Sequence, residues 1–451
     1  DIVEDQLRRT FSEAALTRYR HKNLRTFRLG VTWNGRTITS GDGHIPLALQ
    51  VADGPDRFQE MSEQARTESR NAPNQISWVM SLTDEIDDLV AELYRSRRMV
   101  GKYDQLRAQG KITNEESASL AAEKTEALRL EERLKDRLER ALAAGQGFFR
   151  GVCKEGANLG RTLGEILKVL LAFAVPDLYH HLEMGYRHLK GTEAEEILKA
   201  ANLNGLSKVF YAPPDGLDLV AREGSKFVIN TEADVAKEIS SFLVREHSYG
   251  NKVTGRTLEA HFGGLGYGWE RDMLWLVLAT LLRGGVIEVT HQGRRYRNHL
   301  DPQVRVPFSG ANAFRSASFA PRKGVDLVTM VNAARRYEEL TGEDVDVEES
   351  SIAQAFQHLA RTELDALLPL EATVRAERIP LTEVLREYHT TLDSILNSPS
   401  DDCVNMLAGE GASFQAIRDQ VATIRRATDE KGLARLRRLR QAVRSIWPVL
   451  E

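Results

Sequence analysis

The sequence predicts a mainly α fold with an α/β N-terminal part, and three observations carry that expectation. An Asn34-Gly35 pair sits between Leu29, Val31 and Trp33 on one side and Thr37 and Ile38 on the other. This is a strong short-range hairpin signal, because both turn residues accept positive φ. Two long helical patterns then meet at a Gln109-Gly110-Lys111 break, and from about residue 325 the chain reads as one helix after another. The predicted division is an α/β region at 1–155 that includes an antiparallel helical hairpin arm at 83–144, a helical connector at 156–225, a winged-helix-like domain at 226–305, and a helical bundle at 306–451.

Taken in order, residues 1–19 read as an amphipathic helix, and 45–51 and 75–80 as strands. In the first arm of the hairpin, Ile86, Leu89, Leu93, Val100 and Tyr103 follow steps of three and four, with Ser96 the one weak position. In the second arm, Thr113 and Glu116 form a capping-box pattern, and Leu120, Ala127, Leu134 and Ala141 recur every seven residues, thickened by Leu138 and Leu142. Glu131 and Lys135 are spaced as an i,i+4 pair. Such an arm would be roughly 40 Å long.

Helices are expected at 158–175, 176–189 and 193–201, with Pro176 closing the first, and Ala212-Pro213-Pro214-Asp215-Gly216 marks a break. Lys226 to Asn230 reads as a strand, and Thr231-x-x-Asp234 as the cap of a helix that runs to about His247. Two more helices, at 254–262 and after the Gly266–Trp269 turn, lead to a strand at 286–289, a turn at Gly293 and a strand at 294–297. Three helices followed by a β-wing is the winged-helix order. In the C-terminal part, breaks are expected at TGEDVD, near Pro369, at Pro380, at SPSDD and at GEGAS. No internal repeat or low-complexity tract interrupts the pattern.

Composition narrows the functional classes. The chain has 451 residues, 42% hydrophobic and 28% charged, with a formal net charge of -4. A globally basic nucleic-acid binder is excluded, while a local basic patch is not. No apolar run approaches the roughly 18 residues of a membrane span. The two cysteines, Cys153 and Cys403, form no CxxC pair, which disfavours a disulfide framework or a cysteine zinc site and fits a reducing cytoplasm. The first residue is Asp1 and the segment after it lacks signal-peptide character, which suggests a fragment with domains upstream.

The glycine-rich stretches AAGQGFFRG, GGLGYGW and GEGAS lack the lysine and following Ser or Thr of a phosphate-binding P-loop, and are expected to be turns. His180, His181, Glu183 and His188 lack the spacing of a helical metal site. Catalytic, cofactor-binding and metal-ligating residues are therefore each expected to be none.

The third helix of the winged-helix-like segment is apolar around nearly its whole circumference, from Leu274 to Leu282. A helix apolar all round is buried and offers no polar face to base edges. The wing is different. Arg294, Arg295, Arg297 and His299 flank Tyr296, and with Lys252 and Arg256 they are candidate contacts to DNA phosphates. A solvated hairpin face or a protein interface is the other reading. Near the C-terminus Arg437, Arg440 and Arg444 share a helical face, opposite a stripe of Leu436, Leu439, Val443 and Ile446. That arginine face is either the outer surface of a bundle helix or a surface for nucleic acid or an acidic partner.

The order of segments resembles the C-terminal half of the BrxC/PglY family, the large P-loop ATPases of the BREX phage-defence systems. The residues that carry it are NQISWVM before the hairpin, ALAAGQGFFRG after it, KVFYAPPDGLDLV, GRTLEAHFGGLGYGWERDMLWLVLATLLRGGVIEV and, in the helical tail, AARRYEELTGE. The resemblance implies a cytoplasmic bacterial antiviral-defence protein. Its ATP and Mg²⁺ site would lie in an ATPase domain upstream of Asp1, and its partners would be other BREX proteins including a DNA methyltransferase, with double-stranded DNA and further copies of the chain as additional candidates. The chain departs from the family pattern in lacking Walker motifs, so no nucleotide-binding residue carries over. Three functions are open at this point. One is a non-catalytic region supporting complex assembly with sequence-independent DNA contact, another is a pure protein–protein scaffold, and the third is an enzyme whose site no motif reveals.

Overall fold

The computed structural model describes residues 2–12, 14–22, 25–39 and 43–450, without the side chains of Ala14, Ala15 and 446–450. It is mostly helical, and its N-terminal α/β region contains a curled mixed sheet. Cα packing divides the chain into two compact units, Asp1–His188 with His261–Trp269, and Leu189–Ala260 with Glu270–Glu451.

In the first unit, α1 (Ile2–Ser12) and α2 (Ala14–Thr17) are followed by β1 (Arg18–His21). The helix expected over 1–19 thus ends two residues early, with Asp1 and Glu13 outside the described residues. Tyr19 and His21 alternate inward on β1, which pairs antiparallel with β2 (Arg25–Trp33). Asn34 and Gly35 take φ 48 and 76 and turn the chain into β3 (Arg36–Thr37). Next come β4 (Ile45–Asp53), α3 (Pro55–Asn71) and β5 (Ile76–Leu82). β2, β4 and β5 are parallel neighbours. The first five residues of β5 are all buried, as a strand covered on both faces requires.

The helical arm follows as α4 (Asp84–Ala108) and α5 (Asn114–Ala143). Ion pairs Arg137–Glu85, Arg97–Glu131 and Lys124–Asp104 fix the two helices antiparallel. The capping box at Thr113 and Glu116 forms as the sequence predicts. Ser96, the weak position, is buried with its hydroxyl donating to the Glu123 carbonyl and carboxylate. Glu131 also receives Arg9 of α1, at 2.8 Å.

AAGQGFFRG is not merely a turn. It supplies β6 (Gln146–Phe149), and Arg150 and Gly151 turn it into β7 (Val152–Glu155). Both strands extend the sheet antiparallel from β5. Trp78 of β5 donates its indole N–H to the Leu142 carbonyl at 3.1 Å, and its ring fills the space where a Cβ at Gly145 or Gly147 would sit.

The single helix expected over 158–175 is broken at Gly160 into α6 (Gly156–Leu159) and α7 (Leu163–Leu178), because a second capping box at Thr162 and Glu165 starts a new helix. Pro176 does not close α7, which runs two residues further, and the helix expected at 176–189 is reduced to α8 (Leu182–Gly185). Burial of Leu170, Ala174, Val175 and Leu178 holds the turn despite the lost backbone donor. The GYGW turn packs within this unit. Tyr267 stacks on His181 at 4.9 Å, Trp269 donates to the His181 carbonyl at 3.0 Å, and the Arg25 guanidinium donates to the Gly268 carbonyl. Gly268 has φ 66, and a Cβ there would lie 2.7 Å from Tyr179.

The second unit begins with α9 (Glu193–Lys199), then a β8 (Val220–Glu223) and β9 (Lys226–Ile229) hairpin, of which the sequence predicts only β9. α10 (Asp234–Ser248) starts at Asp234 with Ala233 as its cap residue, so Thr231 is not the cap. Asn230 organises that turn instead, donating to Asp218 and accepting from the Glu232 N–H. β10 (Val253–Thr254) leads into α11 (Gly255–Gly263), then α12 (Arg271–Arg283), β11 (Ile287–His291), β12 (Arg294–Tyr296), α13 (Ala311–Ser316) and β13 (Ser318–Pro321). The sequence shows no strand signal at β13, yet it is central to a four-stranded sheet ordered β10-β13-β11-β12.

The rest is α14 (Leu327–Thr341), α15 (Glu349–Ala376), α16 (Thr382–Asn397), α17 (Ser400–Ala427) and α18 (Glu430–Leu450). Two expected breaks are absent. Pro369 lies inside α15 between buried Leu367 and Leu370, where core packing outweighs the lost hydrogen bond. GEGAS lies inside α17, and its Gly411 is small because Arg336 of α14 lies against it, with Cγ 2.5 Å from where a Cβ would be. No helix among the described residues is long and apolar enough to cross a membrane.

Candidate nucleic-acid interface

The four-stranded sheet positions the β11–β12 hairpin, the segment that the sequence predicts as a wing. Val253, Phe319, Val289 and Tyr296 lie opposite one another across its four strands, and all four are buried. This apolar row ties the wing hairpin to the sheet and turns Arg295 and Arg297, on either side of Tyr296, toward the opposite face. Gln292 and Gly293 make the wing turn, both with positive φ.

Each wing cation meets a carboxylate of its own neighbourhood. Arg294 binds Asp301 at 2.9 Å and lies over the Tyr296 ring. Arg295 and Arg297 both approach Glu288 of β11, at 3.4 and 3.6 Å. His299 leaves the predicted cationic set, because burial first, then Arg283 and Arg305, pushes its pKa down to about 4, so it is neutral near pH 7. Lys252 and Arg256 are exposed and have no ion pair among the described residues. Lys252 precedes β10, at the sheet edge opposite β12, and three strand spacings are roughly 14 Å. The wing arginines and Lys252 therefore start from opposite edges of the sheet.

α12 is buried from Met273 to Arg283, so it presents no polar face to a groove. Its last residue, Arg283, is directed inward and forms a bidentate pair with Glu348.

α18 departs in part from the orientation that its sequence pattern suggests, since Leu436 is half-buried but the stripe beyond it is not. Arg437 donates to Glu377, and Arg440 donates to the Glu377 and Arg378 carbonyls. The guanidinium of Arg437 holds the Glu377 carboxyl below the usual range, against the opposing effect of burial. Arg437 and Arg440 therefore reach the end of α15 while their side chains stay 66% and 38% exposed. Leu439 and Val443, expected on the packed stripe, are 64% and 57% exposed. The Ile446 side chain lies outside the described residues. Arg444 is exposed and has no ion pair among them.

One cationic face lies on the helical arm, outside the residues that the sequence singles out. Arg95, Arg98 and Lys102 on α4 are exposed and have no ion pair among the described residues, and Tyr94 and Met99 beside them are 56% and 37% exposed. The signal was legible as a charge shift along α4, from Asp84, Glu85, Asp87 and Asp88 at its start to Arg95, Arg97, Arg98 and Lys102 further on. The histidine cluster resolves into ring contacts, with His180 and His181 4.3 Å apart, while Glu183 pairs with Lys22. Among the described residues no group of three or more His, Cys, Asp or Glu is placed to hold a metal ion.

No protein-family model, curated protein or solved structure matches the chain.

Proposed function

We propose that the chain is a non-catalytic docking region of a large phage-defence ATPase of the BREX type, and that it assembles with the DNA methyltransferase subunit of the same system. The observation that carries this reading is the mounting of α18. Arg437 and Arg440 meet Glu377 while Leu439 and Val443 face solvent, so part of the apolar stripe lies outward although Leu436 is half-buried. Arg435, Arg438 and Arg444 flank that stripe, all exposed and without an ion pair among the described residues. The complementary partner surface is an apolar groove with an acidic rim. On this reading residues 226–321 are a winged-helix-like module used as a scaffold, and 327–450 a helical bundle that carries α18. The chain performs no chemistry itself, and ATP and Mg²⁺ belong to a P-loop domain elsewhere in the whole protein.

Sequence-independent DNA contact is the second reading. The wing arginines favour it, because their side chains are 63%, 59% and 50% exposed. Exposed ion pairs are worth little, so phosphates could replace Asp301 and Glu288. Fluorescence anisotropy with a 30-base-pair duplex, run beside co-elution with the methyltransferase, separates the two. Docking expects co-elution and DNA affinity no better than about 10 µM at physiological salt. Tighter DNA binding that is lost on changing Arg294, Arg295 and Arg297 to Ala, without co-elution, installs the second reading in its place.

A further inference from the structure

A cavity of about 290 Å³ in the second unit is lined by residues that include Gly191, Glu195, Trp275, Arg305, Phe308 and Ser309. Two of these carry donors without acceptors. Trp275 is 9% exposed, and its indole Nε1 is buried with no hydrogen-bond partner. Arg305 is half-buried, its Nε has no partner, and its guanidinium makes no hydrogen bond or ion pair among the described residues.

Arginine stays charged, and a buried guanidinium Nε and a buried indole N–H that meet no acceptor are each costly beside a cavity. The surroundings supply only part of the opposing charge. Glu195, the one carboxylate among the described residues lining the cavity, interacts with Arg305 through space but hydrogen-bonds Lys199 instead. His299 interacts with Arg305 but is neutral, and its own Nδ1 is also buried without a partner. The neighbouring arginine Arg271 is engaged by Glu259.

We propose that this cavity binds a small oxyanion, a phosphate or a carboxylate, through the Arg305 guanidinium and the Trp275 indole N–H. The lining selects that class. Donors without acceptors and a positive charge only partly offset by Glu195 disfavour cations, and a guanidinium matches the paired oxygens of a carboxylate or phosphate. The volume lies at the small end of ligand pockets, which suits a compact anion. The site is separate from α18, so either proposal can fail alone.

The test is isothermal titration of the whole chain with inorganic phosphate and, separately, with acetate, at constant ionic strength held by chloride. Saturable heat with phosphate alone assigns a phosphate site, and with acetate alone a carboxylate site. Arg305→Gln is expected to weaken binding at least about tenfold, the size of one charged hydrogen-bonding group. Trp275→Phe keeps the ring, removes the donor and is expected to cost about three- to tenfold, which keeps the test valid if Arg305→Gln does not fold. Arg315→Gln, which alters an exposed arginine paired with Glu259, is expected to leave binding unchanged. Absence of saturable heat with either anion up to about 20 mM overturns the proposal, as does binding undiminished in both cavity variants.

Discussion

Arg283 and Glu348 form a bidentate ion pair, 2.9 and 3.0 Å across its two bonds, with side chains only 0% and 2% exposed. Arg283 also donates to the carbonyls of Ile197 and Ala200, each at 2.7 Å, so one guanidinium joins α12, the end of α9 and the start of α15. Removing one partner leaves an uncompensated buried charge. Glu348→Ala is expected to destabilise the second unit by about 3–5 kcal/mol, and Arg283→Met with Glu348→Leu to recover only part of that loss, because the Ile197 and Ala200 carbonyls then lose their donor. Urea unfolding of the three proteins measures it, and a double variant as unstable as the single one contradicts the argument.

The helical arm supplies a second test. Leu134 of α5 is 0% exposed and Leu128 is 63% exposed on the same helix. Leu134→Ala is expected to cost about 2–5 kcal/mol through transfer and cavity terms, and Leu128→Ala about 0.5 kcal/mol or less. Hydrogen exchange along α4 and α5 reads the difference.

Stability is expected to fall in mild acid. His44 is held down to about 4 by burial first, then by Arg25 and Arg28, and His299 is held down to about 4 in its own unit. An unfolded histidine takes its proton near pH 6.5, so between about pH 4 and 6.5 the unfolded chain binds more protons and stability drops as pH falls. At pH 5 the loss is about 1 kcal/mol for each histidine after allowing for their partial exposure. Thermal melts from pH 7.5 to 5 are expected to decline, and His44→Gln with His299→Gln to flatten the decline. An unchanged slope in that double variant sinks the assignment.

Much of the fold was legible because local chemistry and packing agree. The Asn34-Gly35 turn, the Thr113 capping box and the apolar girth of α12 each state their structure in a few residues. The errors fall where a distant contact decides. Gly411 reads as a breaker until Arg336 is seen lying against it, and Pro369 until its buried neighbours are counted. β13 has no periodic signal of its own and exists because β10 and β11 flank it. At the candidate interface, the spacing identified clusters of cations but not that Arg437 and Arg440 meet Glu377, since that pairing joins residues about sixty apart, whereas the Glu288 and Asp301 pairs lie within ten residues of their arginines. The Arg305 cavity was illegible for the same reason, because an unmet donor is defined by what fails to surround it.

ATP turnover offers a fourth prediction. The purified chain is expected to hydrolyse no ATP, because none of its glycine-rich stretches supplies the lysine that a phosphate cradle needs. A steady-state assay with Mg²⁺ measures this, and turnover that co-purifies with the chain through successive columns contradicts it.

The most direct measurement of the docking account is a titration of the chain against the methyltransferase subunit, comparing the unaltered protein with Leu439→Glu plus Val443→Glu. Both side chains are exposed, so circular dichroism is expected to be unchanged while affinity falls at least about tenfold. Equal affinity in the two proteins, or no association of the unaltered chain at all, would contradict the account.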